Sequence, residues 1–237
     1  LGFFKEGLRN VKKNYALSRE ITRTKATRGR LKEAVEKGLL SRSDFQLLHR
    51  SAHDIKRVPI FALMLVVFGE FTPLVVVMVS GVVPWTCRIP KQILSDRVKL
   101  ERRRETSFRN LEALPPVAAE MPLKSLGRNQ LLHISVSLGL HSSLWPESMG
   151  LPPSVVLRRR IRRRMSYLEQ DDLLIQRDGG VQAMSLEEIQ MALAERGVDI
   201  LGKSEAQLRS QLRSWLRARS KGPITALFLT RPSVWTV

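Results

Sequence analysis

The strongest constraint on this chain is an apolar run from Val58 to Val83, 26 residues that contain a single charged side chain. A helix needs about 20 apolar residues to cross a hydrocarbon core of roughly 30 Å. Buried helices of globular proteins rarely extend so far without a polar face. We therefore expect residues 58–85 to form one transmembrane helix, preceded by a basic helical segment at 1–57 and followed by a basic helical domain at 86–237.

Glu70 lies near the middle of this run, and Pro73 follows it three residues later. Proline lacks an N–H, so a helix through this point would leave the carbonyl of Gly69 without its usual partner. A carboxyl beside a free carbonyl makes a polar spot that is tolerated at membrane depth where protein, water or an ion covers it. The spot is consistent with a carboxyl that handles protons or cations. The alternatives are a protonated Glu70 inside a kinked helix, or a segment that enters and leaves the membrane on one side.

The chain is strongly basic, with 40 Lys and Arg residues against 22 Asp and Glu residues and a net charge of +18. Such an excess predicts a polyanionic partner, either a nucleic acid or an anionic membrane surface. Residues 1–57 carry 15 basic and six acidic groups, and residues 88–110 carry eight and three. Because both flanks of the apolar run are basic, the positive-inside rule does not give its orientation.

An arginine-rich helix is predicted in the last third of the chain, beginning near Ser154 after two prolines. Its apolar stripe consists of Leu157, Ile161, Met165 and Leu168. Six arginines occupy its other faces: Arg158, Arg159, Arg160, Arg162, Arg163 and Arg164. A second basic cluster lies in a charged helix predicted over Val98–Leu111: Arg102, Arg103 and Arg104. Arginines in such helices suit the phosphates of RNA; the alternatives are a face that binds anionic lipid and a face that stays solvated.

The remaining signals predict helices joined by short breaks. Residues 8–57 are predicted to form two helices, the second of which begins near Ser41 or Ser43. Three prolines indicate a linker: Pro115, Pro116 and Pro122. Residues 123–145 fit either a short helix or a strand, and we favour the helix because the neighbouring segments are helical.

Capping boxes that begin at Ser185 and Ser204 predict two C-terminal helices. Gly197 is placed to end the first, and Pro223 limits the second. The order of these two helices is also similar to a SAP-type helix–loop–helix, which binds DNA. The apolar run favours instead a packed helix pair inside a larger helical domain.

The chain lacks the motifs of common enzyme classes: it has no phosphate-binding loop, dinucleotide fingerprint, nucleophile elbow or EF-hand loop. Its single cysteine, Cys87, excludes an intramolecular disulfide and a cysteine-based zinc cluster. Asp171 and Asp172 are adjacent acids that we expect to form a solvated helix end, and Asp178–Gly180 is predicted to be a turn. We expect a non-enzymatic protein with no cofactor and no metal site.

A distinct motif leads into the apolar run: Asp54–Ile55–Lys56–Arg57–Val58–Pro59, followed by Glu70, Pro73 and Pro84. Further on come an arginine-rich helix, an Asp-Asp pair, a Gly-Gly turn and two capped helices around Arg196–Gly197. This order resembles the LETM family of mitochondrial inner-membrane proteins. There are departures from the family pattern: Ile60 stands where Phe is usual, and Trp85–Thr86–Cys87 replaces Pro-Ser-Thr. The long coiled coils and the calcium-binding loop of larger members are absent.

The resemblance implies an all-α protein with one transmembrane helix and a 14-3-3-like helical domain that faces the mitochondrial matrix. It implies binding to mitochondrial ribosomes through the two arginine clusters, together with support of inner-membrane protein biogenesis and ion homeostasis. The partners would be the mitochondrial ribosome and an inner membrane rich in anionic lipid. The alternative is a cation/proton exchanger for K⁺ or Ca²⁺, which would require a homo-oligomer because a single span cannot enclose a pathway. Its candidate ion-coupling residues are Glu70, Pro73, Asp54 and Arg57.

Overall fold

The computed structural model of the chain describes residues 2–25, 31–78, 80–113, 121–140 and 152–236. These ranges contain eleven α-helices, several short 3₁₀ helices and no strand. The predicted all-α class is therefore confirmed. The chain divides into two compact units, Leu1–Asp96 and Arg97–Val237, whereas the three-part division by function stays a prediction.

The first unit is built from five α-helices and the start of a sixth. They are α1 (Gly2–Thr24), α2 (Leu31–Glu36), α3 (Arg42–Ile55), α4 (Val58–Phe68) and α5 (Thr72–Met78). The prediction of two helices before the apolar run missed the short α2. The predicted start of the next helix near Ser41 is confirmed, because the Ser41 hydroxyl accepts the Asp44 N–H and the Asp44 carboxylate accepts the Ser41 N–H.

The apolar run does not form one helix. Helix α4 ends at Phe68, a 3₁₀ turn covers Gly69–Phe71, and α5 begins at Thr72. Gly69 has a φ of 49°, a left-handed value that glycine adopts without steric cost. Pro73 stands at the second position of α5, where it can begin a helix but cannot continue one.

The single continuous helix predicted over residues 58–85 is therefore not observed, whereas membrane anchoring by this run stays a prediction. Within the described ranges, no helix combines the length and the apolarity needed to cross a membrane.

The core of the first unit joins the inner side of α4 and α5 to α1. It consists of Phe4, Val11, Phe61, Met64, Val76, Val83 and Cys87. Gly7 of α1 lies directly against Cys87, since a methyl group at Gly7 would come within 2.8 Å of the Cys87 sulfur. The close approach of α1 to the chain that follows the apolar run thus depends on a glycine.

The second unit contains the rest of α6 and five further helices. They are α6 (Pro90–Glu112, which holds the boundary), α7 (Arg128–Ser137), α8 (Ser154–Arg177), α9 (Leu186–Glu195), α10 (Glu205–Lys221) and α11 (Ile224–Leu229). Helix α6 begins well before the predicted Val98. The preference for helix in residues 123–145 is confirmed over the extent of α7, whereas residues 141–145 and the prolines Pro115 and Pro116 lie outside the described residues.

The apolar stripe of α8 packs in the core of this unit. Leu157, Ile161 and Leu168 are fully buried. They share the core with buried residues of the two capped helices: Ile189, Leu193, Leu208 and Leu212. Both predicted capping boxes are present, at Ser185 and at Ser204. The predicted Gly-Gly turn is confirmed by the positive φ of Gly179 and Gly180, and α9 and α10 form a packed pair within a larger helical unit, as expected.

Candidate functional site

The six arginines in the first half of α8, which were predicted from the sequence, fall into two sets on different faces of the helix. Arg159, Arg162 and Arg163 are exposed. Their spacing of three and four residues brings them together on one face. No hydrogen bond or ion pair joins these three guanidinium groups to another described residue. We call Arg159, Arg162 and Arg163 the arginine stripe; it is a compact cluster of three positive charges open to an anionic partner.

The other three arginines of this set of six are partly buried and bind neighbouring segments of the unit. Arg158 donates from Nη2 to the carbonyl oxygen of Leu126 at 3.2 Å. Arg160 donates from Nη1 to the carbonyl oxygen of Leu140 at 2.9 Å. Because each of these bonds joins α8 to a segment beside α7, Arg158 and Arg160 fix the orientation of α8 and thereby the direction of the arginine stripe.

Arg164 completes this second set through α9. Its guanidinium carbon lies 5.6 Å from the centre of the Tyr167 ring, and its Nη1 is 3.9 Å from Oε1 of Glu195. The Tyr167 hydroxyl donates to Glu195 at 2.9 Å. Burial raises the pKa of Glu195 more strongly than the Arg164 charge lowers it, and the Glu195 side chain is half-buried.

The second predicted arginine cluster, on α6, is not a uniform basic surface. Arg104 is buried and donates from Nε to the carbonyl oxygen of Ser137 at 2.9 Å, while its Nη1 pairs with Glu101. Arg103 is half-buried, and Arg102 is exposed. Of the three predicted contacts, Arg102 is thus the one whose side chain lies at the surface of the unit.

Arg196, at the end of α9, carries a buried ionic network that the sequence did not predict. Its Nη2 donates to Asp171 at 2.8 Å and to Asp172 at 2.6 Å, and Nε1 of Trp215 donates to Asp172 at 3.1 Å. Burial acts to lower the pKa of Arg196, but the charges of Asp172 and Asp171 outweigh it, so the guanidinium stays charged. The expectation that Asp171 and Asp172 form a solvated helix end is wrong, because both are buried beside Arg196.

This network holds the C-terminal half of α8 against α9 and α10, since its four members come from these helices or their ends. A signal was present in the sequence. The two adjacent acids, Asp171 and Asp172, and the arginine further along the chain, Arg196, carry opposite charges that can pair in a protein interior. The sequence reasoning treated the two pairs as separate features and so did not connect them.

In the first unit, Asp54 is a second buried carboxylate with a complete set of partners. It is 1% exposed, and it accepts hydrogen bonds from the N–H groups of Trp85 and Thr86 at 2.7 and 3.2 Å. The Thr86 hydroxyl and Nδ1 of His53 also bond to it. Burial acts to raise the pKa of Asp54, but the hydrogen bonds outweigh it and hold the pKa below its usual value. Asp54 therefore stays ionised and caps the turn at Trp85–Cys87.

Arg57, a second charged residue of the motif, bonds to the far end of the apolar run. Its Nε donates to the carbonyl oxygen of Gly81 at 2.9 Å. The His53 ring, one turn earlier in the sequence, stacks on Trp85 with the ring centres 3.5 Å apart. Sequence reasoning assigned no role to Trp85. Together these contacts close the apolar run into a loop whose two ends meet.

The side chains of Glu70 and Pro73 lie outside the described residues. The backbone beside them is described, and the Gly69 carbonyl is not free: it accepts the N–H of Thr72 and the Thr72 hydroxyl. The expectation that the Gly69 carbonyl is free is therefore wrong, whereas a role of the Glu70 carboxyl stays a prediction. Asp54 and Arg57, the other predicted ion-coupling residues, are occupied with backbone groups at the ends of the run.

Comparison with known protein families gives one match for each part of the chain. The family described as "LETM1-like, RBD" matches residues 111–234, just over half of the chain. The "Pentamidine resistance factor domain" matches residues 5–119. The first match contains α8, the arginine stripe and the Arg196 network, and the second contains the apolar run with its Asp54 cluster.

Three similar proteins are mitochondrial by name. The "Mitochondrial proton/calcium exchanger protein" of Drosophila melanogaster is 33% identical over 114 residues, which are 47% of this chain and 10% of that protein. The mitochondrial LETM1 domain-containing protein YLH47 of Saccharomyces cerevisiae is 39% identical over 84 residues, 34% of this chain and 18% of that protein. The mitochondrial LETM1 domain-containing protein mdm28 of Schizosaccharomyces pombe is 31% identical over 110 residues, which are 46% of this chain and 21% of that protein.

The aligned region thus spans between a tenth and about a fifth of the length of these relatives. No solved structure matches the chain. Because one family match covers more than half of the chain and the relatives carry the same domain by name, the resemblance noted in the sequence is confirmed. This chain belongs to the LETM1-like family.

Proposed function

We propose that this protein is anchored in the mitochondrial inner membrane by its apolar run and binds mitochondrial ribosomes in the matrix through the arginine stripe of α8. In this way it supports the biogenesis of inner-membrane proteins and ion homeostasis. The observation that carries the proposal is the stripe itself: Arg159, Arg162 and Arg163 are exposed and without described partners on a helix that other arginines hold in place.

The chemistry of such a cluster suits ribosomal RNA. Each guanidinium that neutralises a phosphate releases a counterion, so the affinity depends strongly on salt. A preformed cluster also loses little conformational freedom on binding, because Arg158 and Arg160 already fix α8. Arg102 on α6 is a further exposed cation that a large RNA surface can reach, whereas Arg103 and Arg104 are withdrawn into the unit.

The test is co-sedimentation of the full chain with purified mitochondrial ribosomes over a salt series. Naked RNA and vesicles of phosphatidylcholine with cardiolipin serve as competitors. Saturable binding that survives both competitors, with the logarithm of the affinity falling linearly with the logarithm of the salt concentration, is the expected result. Complete loss to naked RNA or to vesicles would mean that the stripe is a general anion-binding face, and the ribosome proposal would fail.

A second candidate, a cation/proton exchanger that acts as an oligomer, is favoured by the name of the Drosophila relative. Glu70 would be its coupling carboxyl, since it is the charged residue of the apolar run. The carbonyl of Gly69, the preceding residue, already accepts the N–H and the hydroxyl of Thr72. The test is cation flux across the membrane of vesicles reconstituted with the Glu70→Gln variant. The exchanger candidate predicts that this flux is lost. A cation flux equal to that of the unmodified protein would remove Glu70 from the mechanism.

A further inference from the structure

We propose that a cleft in the second unit binds a small zwitterion, a molecule that carries one carboxylate and one ammonium group, as a free amino acid does. The cleft lies between α6, the turn that joins α9 to α10, and the chain that follows α11. Among the described residues that line it, none belongs to α8. Binding in this cleft is therefore separate from the proposed contact of the arginine stripe with the ribosome.

The size of the cleft suits a small organic molecule. Its volume is about 250 Å³, just below the range of about 300–1,000 Å³ that is usual for ligand sites. The ring of Phe108 and the side chain of Pro232 contribute apolar surface to its wall. The cleft thus offers contact area for the hydrocarbon part of a small ligand, while its other walls are polar and charged.

Lys203 presents to the cleft a half-buried ammonium group that no described carboxylate pairs with. Its Nζ donates to the carbonyl oxygen of Asp199 at 2.7 Å and to Oε1 of Gln211 at 3.3 Å, and both acceptors are neutral. An ammonium group has three N–H donors, so one remains for a ligand. Arg231, which also lines the cleft, is in contrast already paired with Glu112 through two hydrogen bonds.

Arg104 lines the same cleft with a guanidinium whose hydrogen bonding is incomplete. The residue is 4% exposed, its Nε donates to the Ser137 carbonyl oxygen at 2.9 Å, and its Nη1 pairs with Glu101. Its Nη2 is buried and has no partner among the described residues, which is costly for a donor of a charged group. Because Glu101 neutralises one of the two cations, Arg104 and Lys203 together retain one positive charge. A single carboxylate of a ligand supplies the opposite charge.

Acidic side chains also line the cleft, and they exclude a ligand that is only negative. Glu105 is exposed and forms no hydrogen bond or ion pair with another described residue. The Asp199 carboxylate accepts the backbone N–H of Leu201 at 3.0 Å and pairs with no described cation. Together with Glu101, these carboxylates would repel a phosphate or a dicarboxylate. A ligand with an ammonium group beside its carboxylate satisfies both kinds of charge.

The experiment compares amino acids with analogues that lack one of the two charges. Thermal unfolding of the full chain in detergent solution is recorded with each standard amino acid, since a ligand that binds the folded state raises the midpoint. The amino acid with the largest effect is then titrated by calorimetry beside its deaminated acid, its decarboxylated amine, succinate and inorganic phosphate. The expected result is that the amino acid binds more tightly than all four of these probes.

Substitutions in the cleft assign the two charges of the ligand. Lys203→Met should lower the affinity for the amino acid and for its deaminated acid by about tenfold or more, because a charge-assisted hydrogen bond is lost. Lys203→Arg keeps the charge and should retain binding, which separates loss of charge from loss of fold. Glu105→Gln combined with Asp199→Asn should remove the preference for the amino acid over its deaminated acid. The matched controls are Lys124→Met and Glu187→Gln, at exposed positions elsewhere in the second unit.

Three results would overturn the assignment. The first is that no amino acid raises the unfolding midpoint. The second is that succinate or phosphate binds more tightly than the amino acid, which would make the cleft a simple anion site. The third is an affinity in Lys203→Met equal to that in Lys124→Met, which would place the bound amino acid elsewhere on the protein. None of these results bears on ribosome co-sedimentation, so the proposed function is tested separately.

Discussion

Asp54 and Trp85 are 31 positions apart, and the Trp85 backbone N–H donates a hydrogen bond of 2.7 Å to the Asp54 carboxylate. The Asp54→Ala change would leave this N–H, the Thr86 N–H and the Thr86 hydroxyl without their acceptor. Buried donors without partners are costly, and we expect the free energy of unfolding to fall by about 3 kcal/mol.

Urea unfolding followed by circular dichroism measures the Asp54 effect. Glu6→Ala is the control, because Glu6 is an exposed acid on α1 in the same unit. Equal stability of the Asp54→Ala and Glu6→Ala variants would show that the bonds to Trp85 and Thr86 do not hold the ends of the apolar run together.

The Arg196 network predicts a severe effect for Arg196→Leu. The change leaves Asp171 and Asp172 buried without their cation, and breaking a buried ion pair in this way costs about 3–5 kcal/mol. Thermal unfolding should therefore shift to a much lower midpoint, and Arg196→Lys should rescue it in part because it restores charge but not the forked geometry. The matched change Arg217→Leu, at an exposed position on α10, should be nearly neutral. Similar losses in the two leucine variants would contradict a structural role for Arg196.

His133 predicts a stability that declines in mild acid. Its Nδ1 lies 2.9 Å from the Ser107 hydroxyl and its Nε2 lies 3.1 Å from the Phe228 carbonyl oxygen. Burial lowers the pKa of His133. The unfolded chain therefore binds a proton at a higher pH than the folded chain does, and stability falls as the pH drops below about 6.5, by at most about 1.4 kcal/mol per pH unit.

The measurement for His133 is the free energy of unfolding at several pH values in the unmodified protein and in His133→Gln. Burial also lowers the pKa of His53, so the unmodified protein reports both groups and the difference between the two proteins isolates His133. The variant should lose part of the slope between neutral and mildly acidic pH. Parallel curves would mean that His133 does not titrate on unfolding.

Cys87 should be inert in the folded protein. It is fully buried, and burial together with the nearby Asp54 charge raises its pKa to about 12. Because the thiolate is the reactive form, a maleimide should not label Cys87 at neutral pH until urea unfolds the chain. An Arg217→Cys thiol in the same chain, being exposed, should react at once. Labelling of native Cys87 at a comparable rate would show that the core shared by α1 and the apolar run opens readily.

The sequence predicted the local structure of this protein well and its long-range contacts poorly. Capping residues act on their own helix, so Ser41, Ser185 and Ser204 each indicated where a helix begins. The burial of Asp172 could not be found in this way, because its partners Arg196 and Trp215 lie on other elements.

The apolar run shows the same division between local and long-range information. Hydropathy located the run, and Pro73 indicated a break in its helix, but hydropathy is equally high for one continuous helix and for two helices joined by a turn. The reversal depends on the φ of Gly69 and on hydrogen bonds that join Asp54 and Arg57 to residues far along the chain. In α8, helical periodicity could have separated the arginine stripe from Arg158 and Arg160, since the stripe lies opposite Leu157 and Ile161.

The central claim is that the arginine stripe, and not the overall positive charge, binds the mitochondrial ribosome. The most direct test compares two triple variants with the same net charge. One is Arg159→Ala, Arg162→Ala and Arg163→Ala; the other removes three exposed cations elsewhere in the second unit, Arg109→Ala, Arg213→Ala and Arg217→Ala.

Ribosome affinity is measured for both variants and for the unmodified protein over the same salt series. The account predicts that the stripe variant binds weakly, with a salt slope shallower by about 2 to 3 because each lost phosphate contact removes about 0.7–0.9, while the other variant keeps the slope of the unmodified protein. Equal losses in both variants, or an unchanged slope in the stripe variant, would contradict it.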